Sequence, residues 1–200
     1  MASKDDLRAR MRIRRAHLSL SEIEDRGAKV QRRVIESTPF SKAQNVAVYL
    51  PLRGEVPTAE IVEASRRDGK ALAVPSSQIA DGDYRFAWLD GDNATVAARY
   101  GIEEPVDPRE AAPEDIDLVI LPGLAFDMRG VRLGQGAGVY DRLLRDFGGV
   151  RLGLGFDFQI VAELPNEAHD IAVDYLATES NFMITNSSRQ KTKGVETPRR

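Results

Sequence analysis

The stretch that most constrains this chain is Leu121–Leu144, LPGLAFDMRGVRLGQGAGVYDRLL. It starts as the end of an apolar strand, passes through a loop holding Gly123, Gly130, Gly134, Gly136 and Gly138, and finishes in a helix-like segment with Asp141. Glycines gathered in this way point to backbone that turns sharply and approaches something closely, because glycine takes positive φ without a side-chain penalty. A loop between strand and helix is also where backbone N–H groups cradle phosphate. Arg132 adds a planar cation suited to phosphate oxygens, and Asp141 a hard oxygen ligand for phosphate-borne Mg²⁺. The spacing Gly134-Gln135-Gly136-Ala137-Gly138 is not the dinucleotide fingerprint, and no Gly-Lys-Ser/Thr closes a Walker motif. Glycine-rich junctions also serve simply to turn the chain. The residues point to a nucleotide-dependent enzyme while leaving that plainer reading open.

The rest of the chain supplies a scaffold for such a junction. Val46–Leu50, Lys70–Val74, Asp117–Leu121 and Arg151–Phe156 are apolar strand candidates separated by helix-length segments. That alternation predicts an α/β fold: a three-layer α/β/α single domain around a mainly parallel sheet, Rossmann-like but without the dinucleotide fingerprint, with right-handed crossovers. Ser3 with Asp6 and Ser19 with Glu22 are capping-box patterns that start two helices. Leu7, Met11 and Leu18, then Ile23, Val30 and Val34, give these helices apolar stripes. Residues 58–67 and 140–146 read as helices, and 84–89 and 171–177 as further strands. Proline and acid dominate Glu103–Asp115, which reads as a surface connection. The domain is expected to span residues 1–184. Residues 185–200, polar and basic, are expected to form a mobile tail that buries too little to offset its ordering entropy.

Composition narrows the function classes. With 200 residues, 42% hydrophobic and 30% charged, the chain is large enough for a real core and has the make-up of a soluble globular domain. A net charge of -3 provides no global basic field for nucleic acid or membranes. Cysteine is absent, which removes thiolate chemistry and disulfides. No apolar run approaches the roughly 20 residues that span a bilayer, and the first residues lack a signal-peptide core. His17 and His169 are too few and too isolated to argue a zinc centre. A cytoplasmic protein acting on small molecules is expected, as a monomer, with no nucleic-acid or membrane partner.

The segment Pro122–Arg142 reads PG-x-AFD-x-x-G-x-RLG-x-G-x-G-x-YD-R. With it come Lys4 and Leu7-Arg8, Glu55-Val-x-Thr58, Gly101-Ile-x-Glu-Pro105, and a weaker echo in Gln159, Pro165 and His169-Asp170. These pieces, in this order from Lys4 to about Thr178, resemble the 5-formyltetrahydrofolate cyclo-ligase (5,10-methenyltetrahydrofolate synthetase) family. The resemblance implies closure of 5-formyltetrahydrofolate into 5,10-methenyltetrahydrofolate, coupled to ATP hydrolysis and requiring Mg²⁺. Two positions depart from the family pattern. Gln135 stands where an aromatic or basic residue is usual, and Val139 where a second tyrosine is common.

The resemblance also implies site roles. Lys4 and Arg8, four apart and so on one helix face, would meet ATP phosphates, with Arg12 extending that face. Without the resemblance these cations read as a solvated helix surface. ATP binding is assigned to Lys4, Arg8, Arg132, Gly134, Gln135, Gly136, Ala137, Gly138, Val139, Tyr140 and Asp141. Arg132 and Asp141 are the catalytic candidates, Asp141 also holding Mg²⁺. The folate is assigned to Leu50, Glu55, Trp88, Phe126 and Tyr140. Tyr140 stands either against the pterin or as the first core residue of its helix. Trp88 stands either over a flat ring or in the core of an alternating strand. The alternative function is a non-catalytic nucleotide- or folate-binding regulator on the same fold, left open by Gln135 and Val139.

Overall fold

A computed structural model describes residues 3–80, 83–90, 95–97, 103–167 and 170–188. Helix α1 (Lys4–Ala16) and helix α2 (Leu20–Ile35) each begin at a complete capping box, Ser3/Asp6 and Ser19/Glu22, where serine and acid satisfy the free N–H groups reciprocally. Helix α3 (Thr38–Lys42) starts at Ser37 with Pro39 in its first turn. Strand β1 (Asn45–Ala47) and helix α4 (Ala59–Arg67) follow, then strands β2 (Ala71–Ala80), β3 (Asp83–Trp88), β4 (Thr95–Ala97), β5 (Glu103–Pro105) and β6 (Arg109–Ala111). The glycine-rich region supplies β7 (Leu118–Pro122), β8 (Ala125–Asp127), β9 (Arg132–Leu133) and helix α5 (Val139–Leu143). Strands β10 (Val150–Leu154), β11 (Ile160–Val161), β12 (Tyr175–Ala177) and β13 (Phe182–Ile184) complete the described elements.

The main sheet has eight strands in the order β13-β12-β10-β7-β1-β2-β3-β6. Pairing from β12 through β10, β7 and β1 to β2 is parallel, and the outer strands β13, β3 and β6 join antiparallel. The expected α/β architecture is therefore present, with antiparallel edges added. Alternation along the parallel strands divides the core into two layers. Val46, Leu72, Leu118, Ile120, Leu152 and Leu154 face one cluster with Val30, Val34, Phe40 and Ile61 from α2, α3 and α4. Ala47, Ala73, Val119, Leu121 and Leu176 face the other, with Leu143, Leu144 and Phe147 in and after α5.

Outside the main sheet lies a small one, β11-β8-β9. The apolar stripe of α1, Leu7 and Met11, packs there on Leu124, Ala125, Val131, Leu133 and Leu164. This contact sets α1 beside the glycine loop rather than with the other helices.

Residues 103–115 depart from the expected surface connection. They contain β5, which pairs with β4, and β6, which forms the sheet edge beside β3. Glu104 is fully buried and accepts hydrogen bonds from Ser76 Oγ (3.0 Å), Ser77 N (2.7 Å) and Ser77 Oγ (2.9 Å). Composition predicted solvation, but donors in the middle of β2 satisfy the carboxylate inside the fold. Thr185, the first residue of the expected tail, is also buried, and its hydroxyl donates to Val173 O at 2.7 Å. Gly101-Ile102, His169 and residues 189–200 lie outside the described residues. Among the described residues no helix is long and apolar enough to cross a membrane.

Candidate active site

Open α/β sheets collect ligands beyond the carboxyl ends of their parallel strands. Here a cleft of about 790 Å³ opens beside the ends of β1 and β7, bordered by Tyr49 and Leu50 after β1, Pro75 in β2, and Pro122-Gly123 at the end of β7. Its other walls are one face of α1, the loop 134–138 and the start of α5. Gly136 and Gly138 take φ of 108° and 65°, the left-handed region that a side chain rarely adopts, so this loop is shaped by its glycines.

Helix α1 brings its cations to that loop. Arg8 Nε donates to Gly134 O at 3.1 Å and its guanidinium pairs with Asp5 at 2.6 Å. Arg12 donates to Gln135 Oε1 at 3.3 Å and Gln135 O at 3.0 Å. Lys4 Nζ lies 2.8 Å from both Glu167 and Asp170, which bound the same cleft. Hydrogen bonds and charge from Asp170 and Glu167 outweigh partial desolvation and raise the pKa of Lys4 above its usual value, so it stays a cation.

Arg132 is held from three sides. Its side chain is 6% exposed; Nη2 lies 3.2 Å from Asp141 Oδ1, Nη1 donates to Pro122 O at 3.4 Å, and the guanidinium stands 5.3 Å from the Tyr140 ring centre. Burial pushes the Tyr140 hydroxyl far above the usual phenol range; the charge of Glu55 adds to this and Arg132 opposes it. Asp141 is the lone carboxylate at this point of the loop. Among the described residues no group of three histidines, cysteines or acids is placed to hold a metal ion. A single carboxylate fits a Mg²⁺ that arrives on phosphates, because that ion keeps waters and needs one or two protein carboxylates; it does not fit a resident metal centre.

Glu55 lies across the cleft on a tight turn. Its N–H donates to Leu52 O at 2.9 Å, and Leu52 N–H donates back to Glu55 Oε2 at 3.1 Å. Arg15 of α1 lies 3.4 Å from Oε1. Burial pushes the Glu55 carboxyl above the usual range; Arg15 and the Leu52 N–H pull it back without cancelling the shift. Tyr49 beside it is buried and donates its hydroxyl to Val56 O at 2.7 Å.

The structure thus brings together Lys4, Arg8, Arg12, Leu50, Glu55, Arg132, Gly134, Gln135, Gly136, Ala137, Gly138, Val139, Tyr140 and Asp141 around one cleft. Trp88 and Phe126, expected against the folate, do not line it. Trp88 sits on β3 with the Arg109 guanidinium 5.5 Å from its ring centre. Phe126 is fully buried, its ring filling the space that Gly123, Gly153 and Gly155 leave without side chains. Sequence reasoning missed Tyr49, Leu52, Pro75, Glu167 and Arg15. Arg15 was within reach: eleven residues past Lys4, at 3.6 residues per turn, return to within about 20° of the same direction.

Fold and cleft together define an α/β protein that gathers cations around a glycine loop. Residues 1–179 match the 5-formyltetrahydrofolate cyclo-ligase family. The chain is 32% identical over 176 residues to a 5-formyltetrahydrofolate cyclo-ligase of Escherichia coli K12, covering 85% of this chain and 97% of the other. It is 28% identical over 193 residues to the mouse cyclo-ligase, covering 90% and 95%. The solved structure of Aquifex aeolicus 5,10-methenyltetrahydrofolate synthetase superposes with a TM-score of 0.82 at 33% identity, covering 92% of this chain and 93% of that one. The chain belongs to the 5-formyltetrahydrofolate cyclo-ligase family and is a ligase, as the motifs from Lys4 to Arg142 predicted.

Proposed function

We propose that this cleft closes 5-formyltetrahydrofolate into 5,10-methenyltetrahydrofolate with ATP, releasing ADP and phosphate. The formamide carbon is a poor electrophile and its oxygen a poor leaving group. Attack of the formyl oxygen on the γ-phosphorus breaks the bond to ADP and gives an imidate phosphate. N10 then bonds to the formyl carbon, the carbon–oxygen bond breaks, and phosphate leaves with the N10 proton. Alignment and neutralisation of moving charge are what such a sequence asks of a protein.

Lys4, Arg8, Arg132 and the backbone of residues 134–138 take the triphosphate, with Gln135 and Ala137 forming the loop's exposed wall and Val139 opening α5 behind it. Leu50, Glu55 and Tyr140 take the folate, Glu55 accepting from a ring N–H. Mg²⁺ bound with ATP supplies charge neutralisation at the phosphates, and Asp141 is the residue that would hold it. The observation that carries this reading is one contact chain. Arg132 joins Asp141 on one side and Tyr140 on the other, and Tyr140 stands in the field of Glu55. Phosphate chemistry and folate recognition therefore meet at Tyr140.

We take the protein to act as a cytoplasmic monomer on these small molecules. Purified protein mixed with Mg-ATP and 5-formyltetrahydrofolate should generate the methenyl product, followed by its ultraviolet absorbance. Folded protein that binds both ligands without product and without ATP consumption would instead be the non-catalytic regulator.

A further inference from the structure

Arg15 has no place in the phosphate-binding set, yet it is among the most enclosed cations of the described structure, at 7% side-chain exposure. It faces the same way as Lys4 and Arg8, but one end of α1 further along, where it meets the turn 52–55 instead of the glycine loop. All three nitrogens of its fork are engaged. Nε donates to Gly54 O at 3.0 Å, Nη2 to Arg53 O at 3.2 Å, and Nη1 approaches Glu55 Oε1 at 3.5 Å. Gly54, between those partners, holds φ of 80°, a conformation open to glycine that carries its carbonyl toward the guanidinium. The Glu55 carboxylate is thus fixed by Arg15 at one oxygen and by Leu52 N–H at the other, with lone pairs left for a ligand in the cleft.

We infer that Arg15 is a positioning residue for folate recognition: it clamps the 52–55 turn so that the Glu55 carboxyl is held facing the substrate. This rests on the reading of Glu55 as a folate contact and adds the device that makes the contact effective. A Glu at 7% side-chain exposure faces Arg15 from α1, Tyr49 from the end of β1 and Tyr140 from α5. Arg15 is the one cation among these, and the two phenols both stay neutral. Without it, burial would act on the carboxyl opposed only by the Leu52 N–H, and the carboxyl would take up a proton at higher pH. A planar fork makes these three contacts from one centre; an ammonium cannot.

The test is calorimetric titration of 5-formyltetrahydrofolate, with a non-hydrolysable ATP analogue present, into the full-length wild type, Arg15→Met, Arg15→Lys, Glu55→Gln and Arg15→Met/Glu55→Gln. Arg15→Met should weaken folate affinity about tenfold, the size of one lost charge-assisted contact. Affinity for the ATP analogue should stay within about twofold, the scatter expected between independent sites. Its acid limb of folate binding should move to higher pH, and Arg15→Lys should restore that limb while recovering affinity only in part. In the Glu55→Gln background Arg15→Met should cost little more, because both act through one carboxylate. Should Arg15→Met not fold, the partial loss of folate affinity expected in Arg15→Lys carries the same test, and wild-type folate affinity in that variant overturns the positioning role. Additive losses, or wild-type folate affinity and pH limb in the Arg15 variants beside a weakened Glu55→Gln, overturn the positioning role and leave Glu55 as a contact. Wild-type affinity in Glu55→Gln overturns both. Binding is read without turnover, so absence of methenyl product would sink the cyclisation reading and leave this coupling measurable.

Discussion

A methyl group placed on Gly134 tests whether Arg132 works by its position. A Cβ built there would meet Arg132 Nη1 at 2.9 Å and Cζ and Nη2 at 3.5 Å. Ordinary contact requires the guanidinium to withdraw by about half an ångström. It cannot do so freely, because Asp141 at 3.2 Å, Pro122 O at 3.4 Å and the Tyr140 ring hold it on three sides. The Pro122 contact at 3.4 Å is already beyond a good hydrogen bond, so the Asp141 contact at 3.2 Å, at the outer limit, is the one whose loss costs energy. Such a charge-assisted bond is worth about 1.5–3 kcal/mol when enclosed. Asp141 is 30% exposed, and solvent screening brings the cost of Gly134→Ala to about 1 kcal/mol. For a chain of this length that lowers Tm by about 2–4 °C. Turnover should suffer more: about 1 Å of misplacement costs up to about 10²-fold, so half that distance predicts a loss of about tenfold in kcat. The assay pairs kcat and the KM for ATP, at saturating folate, with a thermal melt. Gly148→Ala is the control, since nothing lies within 4 Å of its Cβ and its φ is ordinary. Wild-type kcat in Gly134→Ala, with or without a lower Tm, would refute the reasoning.

Three further outcomes separate chemistry from packing. Asp141→Asn keeps the shape and removes the charge; turnover should fall about 10²–10³-fold while Tm drops by no more than the roughly 2–4 °C of Gly134→Ala, and unaltered Mg²⁺ dependence of the rate would discard Asp141 as the metal's anchor. Phe126→Leu should cost about 1–3 kcal/mol of stability and leave the KM for folate as in the wild type, because the ring fills the core beneath Gly123, Gly153 and Gly155; a KM effect without a stability effect would return Phe126 to the cleft wall. Mg-ATP should slow amide exchange in residues 4–15 and 130–141 together, whereas protection confined to the loop would detach α1 from the nucleotide.

Local signals survived best between sequence and structure. Ser3/Asp6 and Ser19/Glu22 act within one helical turn, so their capping boxes form wherever the helices pack. The parallel strands were legible because burial on both faces gives continuous apolar runs such as Leu118–Leu121. What failed depended on distant partners. Glu104 looks solvated until Ser76 and Ser77 are brought to it. Asp127 is equally enclosed, accepting from Arg129, Val131 N and Leu164 N, and nothing in its neighbours announces that knot. Phe126 lies in the family motif beside cleft-lining residues, and only Gly123 after β7, Gly153 in β10 and Gly155 just past it reveal its slot in the core. In the site, the glycine loop was readable from residue types and spacing, whereas the face of α1 was readable only through the family resemblance, since its cations alone read as a solvated surface. Tyr49 and Glu167 were not, because the crossing of separate segments creates their position.

The docking of α1 on the small sheet also has a kinetic side. Arg8 and Gly134, hydrogen-bonded in the fold, are 126 residues apart, and Leu7 and Met11 pack on residues between 124 and 164. Were α1 to dock before the rest had folded, joining ends so distant would cost about 4 kcal/mol of loop entropy beyond a constant term. The main sheet does not need α1, so α1 is set to attach late and to detach first, while the shelf of residues 132–141 is already in place. The detached species is catalytically silent, since it lacks Lys4 and Arg8, and it is also the one that exposes the Leu7–Met11 stripe. Turnover and resistance to aggregation would then be governed by the same opening equilibrium, and a ligand that spans α1 and the loop acts on both at once.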